Sequence, residues 1–388
     1  MHAYLIPSRL RRRGPRHVRV SRSTAGSVCA ALALALVLLV SACGEDGRND
    51  GASDSPSPDA SEPVDVRGTT LRVVTHDSFN VSDAVIDAFE HDTGVTVELI
   101  PGGDAVQVVN QAVLTRDNPQ ADVLFGIDNN LLTRAWDANL FLPYESPALA
   151  AVPDEFELDP EHRVTPIDRA DVCLNFDREY FASRQLAVPE TLDDLTDPAY
   201  EDLLVVQNPS TSTPGLAFLL ATIDEFGEES WVDYWEQLEA NGVTITEGWE
   251  QAYYERFSGG SGEGTQPLVV SYASSPPVEV EDVTTPPDQT PTGVITASCY
   301  RQIEFAGILA GTENEVAAQL FVDFLLSVPF QNDMPENMYV YPVRDDASLP
   351  DAFVRYSVTI DDPLEIAPEE VGENRDAWVE QWTDIFGT

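Results

Sequence analysis

The sequence predicts an α/β protein of two lobes, each built on a mixed, mostly parallel sheet. Three observations lead there. Residues 67–388 are long enough to bury two cores. Within them, short β-branched runs alternate with amphipathic helical stretches in two successive sets. The turn after each strand is polar, aromatic or glycine-containing, and open α/β sheets place ligands at such carboxyl ends.

In the first set, 71–75 reads as a buried strand and 82–93 as a helix. Ser82 is the expected cap, Val85, Ile86 and Phe89 share a face, and Gly94 stops it. Residues 95–100 form a second strand. Asp104 opens another helix, with Val106, Val109 and Val113 in line, and 122–126 is the third strand. The second set has a strand at 204–207, a helix from about Thr213, a helix at 229–240, a strand at 243–246, a helix at 249–257 and a strand at 268–272. "SGGSGEGTQP" is a flexible loop without a phosphate-binding fingerprint, since no strand runs directly into it. After a Pro/Thr-rich loop, "CYRQIEFAGIL" starts a return to the first lobe, followed by a helix at 314–327, "ENMYVYPV" and a C-terminal helix carrying Trp378 and Trp382. The expected division is 67–169 for the first lobe, 170–302 for the second, and 303–388 for the return.

The ends speak for export. Arg9 to Arg22 form a cationic start, an apolar stretch follows, and "VSACG" resembles a bacterial lipobox. Residues 1–42 are therefore expected to be a lipoprotein signal peptide, Cys43 the lipidated anchor at the outer face of the cell membrane, and 43–66 a flexible acidic tether too poor in apolar residues to fold. All 21 basic residues are arginine, and seven precede Cys43; the fourteen that remain face 67 acids, a formal charge of −53. Such a field keeps nucleic acid away. The acids are scattered, as on a heavily solvated surface from a salty habitat. Cys173 and Cys299, the cysteines left in the folded part, are expected to form a disulfide in an oxidising compartment. The three histidines there have no metal-ligand spacing, and no Gly-x-Ser-x-Gly elbow occurs. Neither a metal, a cofactor nor an enzymatic activity is expected.

"THDSF", "GIDNNLL", "NPSTSTPGLAFLL", "TEGWEQAY", "LVVSYASSP" and "MPENMYVYPV" occur in an order and spacing that resemble the thiamine-binding proteins of bacterial ABC transporters. The resemblance runs from about Leu71 to near the C-terminus. It implies a type II periplasmic-binding-protein clamshell, hinged between its lobes, that binds thiamine or its phosphates and delivers it to a permease and an ATPase; a monomer is expected. It also implies a pocket. Trp249, Tyr272 and Tyr339 occupy positions that line the family's ligand site, with Tyr253 four residues after Trp249 either in the pocket or in the core. A flat heteroaromatic cation is held by aromatic faces at roughly 0.5–2 kcal/mol per contact. Asp104 and Asp128 are candidate counter-charges, Asp128 alternatively capping the helix near Asn129, and Asn129 either donates to ligand or satisfies a turn. Ser212, Thr213 and the amides around Gly215 form a helix mouth suited to the hydroxyl or phosphate arm. Where other members carry tyrosine, this chain has His76. If it faces the ligand's cationic ring, binding weakens as pH falls below about 6.5. The rival readings are another solute (ferric ion, an anion or a different cationic heterocycle) and a secreted thiamine- or pyrimidine-processing enzyme using Cys173.

Overall fold

The computed structural model describes residues 64–387. The signal segment, Cys43 and all but the end of the tether lie outside them. The first set of elements has the expected alternation: β1 (Thr70–Thr75), α1 (Asp83–Thr93), β2 (Thr96–Pro101), α2 (Ala105–Leu114), β3 (Val123–Asp128), α3 (Leu132–Asp137) and β4 (Phe141–Leu142). Helix α1 ends at Gly94, whose φ of 71° is the left-handed conformation that glycine adopts without cost. Ser82 precedes α1, but its hydroxyl donates to Asp333 at 2.6 Å and leaves the helix uncapped by its side chain.

The chain then crosses over in a strand longer than its sequence announces. Only the part around Cys173 reads as strand, yet β5 runs over Thr165–Asp177 and is buried almost throughout. It is followed by α4 (Arg178–Arg184), β6 (Leu204–Gln207), α5 (Thr213–Phe226), α6 (Trp231–Ala240), β7 (Thr244–Thr246), β8 (Leu268–Tyr272) and α7 (Ser275–Val278). Instead of an α-helix over 249–257, residues Gln251–Arg256 form a π-helical turn. The return strand β9 spans Thr292–Leu309, beginning well before Cys299. The chain closes with α8 (Glu315–Leu325), α9 (Val328–Met338), β10 (Tyr341–Pro342), α10 (Asp351–Tyr356) and α11 (Pro368–Phe386).

Eight strands form one path, β2-β1-β3-β9-β5-β8-β6-β7, with β4 added beside β9 and β10 beside β5. Both flanks are parallel, with β1 between β2 and β3 and β6 between β7 and β8. The centre is antiparallel, because β5 and β9 run in opposite directions through both halves. The register of β5 against β9 shifts between Val172 and Leu174, and there Cys173 and Cys299 form a disulfide. Helix α5 is buried on every side from Thr213 to Ile223, which explains its nearly unbroken apolar sequence. Helix α11 touches both α3 and α6, and its Trp382 ring packs edge-on to Trp235 of α6 at 5.6 Å.

Candidate functional site

Several of the turns that follow strands converge, although the one after β3, with Asp128 and Asn129, does not line the shared cavity. His76, Asp77 and Ser78 follow β1; Asp104 and Ala105 open α2; Thr213 and Pro214 open α5. Together with Trp249, Tyr272, Glu304, Met338 and Val340 they line one cavity of ≈ 30 Å³. That is well below the roughly 300–1,000 Å³ of a small-molecule pocket.

Trp249 is held on two sides. Its indole Nε1 donates to Ser271 Oγ at 2.9 Å, and its ring stacks on Tyr253 with centroids 4.9 Å apart and 19° between planes. Tyr253 is fully buried behind it, its hydroxyl donating to Glu279 at 2.8 Å, and does not line the cavity. The ring of Tyr272 stands 6.1 Å from Trp249, tilted by 44°. Tyr339 caps the end of α9 at φ 65° and places its ring edge-on to Trp249 at 6.0 Å, while its neighbours Met338 and Val340 line the cavity. Ser274 donates to its carbonyl.

Asp104 does more than open α2. Its Oδ1 accepts from the Ala105 amide at 2.7 Å and from the Thr213 amide at 3.0 Å; its Oδ2 accepts from the Trp249 amide at 3.2 Å. One carboxylate thus ties the first set of elements to two turns of the second. It also meets the mouth of α5, where the sequence led us to expect a ligand's arm. Burial pushes the Asp104 carboxyl up to about 6, against the amide hydrogen bonds that favour its anion. Ser212 is fully buried at the N-cap. Gly215 serves packing: a Cβ there would stand 2.5 Å from the Gln207 carbonyl oxygen, so only glycine lets α5 begin against β6.

Asp128 and Asn129 hold the end of β3. Asp128 accepts from the amide and side chain of Asn130 at 3.1 and 3.2 Å. This turn delays the helix, which starts at Leu132 rather than near Asn129. Asn129 exchanges hydrogen bonds with the backbone of Ile303 and thereby locks β3 to β9.

His76 points inward, its Nε2 3.6 Å from Glu304 Oε2. Gly126, at φ 101° in a bulge of β3, makes the room; any side chain there would run into the imidazole. Burial disfavours the charged ring, but Glu304, with Asp104 and Asp77 behind it, outweighs burial and raises the His76 pKa above its ordinary value. Glu304 and its strand neighbour Asp168 escaped the sequence reading. Glu304 stands between Ile303 and Phe305, whereas Asp168 stands between Ile167 and Arg169, so only the first reads as a single acid in an apolar run.

A family model described as bacterial extracellular solute-binding protein matches residues 118–356. The thiamine-binding periplasmic protein of Salmonella typhimurium is 32% identical over 321 residues, 80% of this chain and 92% of that protein. This chain belongs to that family. A solved structure of a periplasmic thiamin binding protein superposes with a TM-score of 0.70 at 29% identity, covering 82% of this chain and 98% of the other. The two-lobed type II fold is accordingly that of this family member, with β5 and β9 passing between its halves. The ferric binding protein of Campylobacter jejuni has the same fold, at a TM-score of 0.64 and 18% identity, covering 81% and 99%. Among the described residues, no three His, Cys, Asp or Glu side chains converge as metal ligands. Cys173 is bonded to Cys299, so its sulfur is not a free nucleophile.

Proposed function

We propose that this protein binds thiamine outside the cytoplasm and hands it to an ABC permease and ATPase, as a monomer anchored through Cys43 and without catalysis. One observation carries the ligand: the rings of Trp249 and Tyr272 share a cavity with Asp104 and Glu304. Flat aromatic walls plus buried negative charge suit a flat heteroaromatic cation, and the thiamine-binding relatives support the same choice.

The cavity admits such a ligand only when the halves part. The expected lobe borders lie opposite each other across β5 and β9, where Arg169 pairs with Ile303 and Ala170 with Gln302. A hinge there separates 67–169 and the returning chain from 170–302, with α11 touching both halves, and Asp104 latches the closed form through Thr213 and Trp249.

Asp104 also sets a preference. Its carboxylate already occupies the α5 mouth, and no arginine lines the cavity. Phosphate esters therefore enter against like charge, and thiamine binds best. Calorimetric titration of the full chain, freed of co-purified ligand, with thiamine, thiamine monophosphate and thiamine diphosphate tests this. One-to-one binding in the order thiamine, monophosphate, diphosphate is expected. Heat with none of them, in low and high salt, overturns the reading.

A further inference from the structure

Three carboxylates stand in a row across the centre of the sheet. Asp128 of β3 and Asp168 of β5 are both register partners of Glu304 of β9. Directly opposed residues of antiparallel strands share a face, and like charges so placed repel. Burial sharpens the conflict: Asp128, Asp168 and Glu304 are 0%, 1% and 8% exposed. Asp168 receives no hydrogen bond from an amide, hydroxyl or cationic group among the described residues, and the carboxyl of Glu304 is the polar group beside it. An ionised carboxylate in that position is costly, and it is neutralised by a proton or by a cation. The row meets the cavity at its middle member, since Glu304 lines it beside Trp249 and Tyr272.

The other charged groups facing the row set the direction. His76 and Asp77 come from the turn after β1, Asp104 from α2, and Tyr272 from β8. The buried Arg375 of α11 acts on Asp128 from behind, its charge shared with Asp376 at 2.8 Å. Acids thus outnumber cations around the row. Burial first, and Glu304 second, push Asp128 up to about 7 and Asp168 well above its ordinary range.

We propose that the Asp128–Glu304–Asp168 row holds a proton in the free protein and surrenders it when the ligand's cationic ring enters, so that thiamine is bound in exchange for a proton. The inference rests on the thiamine reading above. The acid O–H bond breaks, its electron pair stays on the carboxylate, and the proton passes to the buffer; the ring's fixed charge takes over the neutralising role. Protonated His76 beside Glu304 is a second place-holder for that charge, and the test separates the two.

Titration of the full chain with thiamine near pH 7, in buffers of different ionisation enthalpy, counts the protons released. About one proton per ligand is expected, with affinity rising about tenfold per pH unit for each proton exchanged. His76→Gln is expected to keep most of the release and Asp168→Asn to lose most of it. Thiamine binding without proton release in the wild-type protein overturns the inference and leaves the function standing, and needs no variant to fold. Release abolished by His76→Gln but intact in Asp168→Asn overturns it as well. Absence of thiamine binding overturns the function itself, and the inference with it.

Discussion

Trp249 decides most at the residue scale, because it is the surface on which the proposed reading places the ligand's ring and is itself fixed by Ser271 and Tyr253. Trp249→Ala is expected to weaken thiamine binding by at least ~30-fold, the equivalent of about 2 kcal/mol, with the far-UV spectrum unchanged; calorimetry beside circular dichroism reads both. Asp104→Asn removes the charge at the α5 mouth, keeps an oxygen for the Ala105 and Thr213 amides and loses the acceptor for the Trp249 amide. Thiamine binding should weaken, while the ratio of thiamine to thiamine monophosphate affinity narrows, which parallel titrations measure. These residues were legible because each stands just past the carboxyl end of a strand, the edge at which such a sheet meets its ligand. Tyr253 shows the limit: four residues after Trp249 puts it beside that ring, but whether beside means ligand or core depends on the group packed behind, here Glu279. Asp168 and Glu304 were hidden for a related reason. An acid in an apolar strand becomes conspicuous only when the strand next to it is known.

At the scale of elements, the two long strands were the least visible in sequence and matter most for the closure proposed above. Parallel units announce themselves by alternation with helices, whereas β5 and β9 are central antiparallel strands whose partners are far away in the chain. Their disulfide closes a sequence separation of 126 residues. Cys173→Ser with Cys299→Ser is expected to cost about 4–5 kcal/mol of stability on chain-entropy grounds, measured by urea unfolding, with a smaller effect on thiamine affinity. The entry of α5 depends on a single glycine. Gly215→Ala drives a methyl group into the Gln207 carbonyl and should destabilise by about 1–3 kcal/mol, lowering the thermal midpoint and, by moving the Thr213 amide off Asp104, the affinity as well.

At the scale of the whole molecule, acidity and pH pull stability and binding in opposite directions. Burial holds Asp128 near 7 and Asp104 near 6, against an ordinary 3.8 for both. A carboxyl raised in this way favours the folded state fully below its unfolded value, and that contribution is lost as pH rises through the folded one. His76, also raised, acts in the same sense. The net charge of −46 adds self-repulsion that lessens as acids are protonated or screened. The thermal midpoint of the ligand-free protein should therefore rise between pH 8 and pH 5, and rise with salt, while thiamine affinity falls over the same pH range; scanning calorimetry and titration calorimetry across that range check the two signs. A crystal structure of the thiamine complex is the most direct measurement of all. The cationic ring is expected within about 6 Å of the Trp249 and Tyr272 ring centres, its charge turned toward Glu304. Thiamine bound away from these rings, or with its ring turned from the carboxylates, would contradict the assignment of this cavity as the thiamine site.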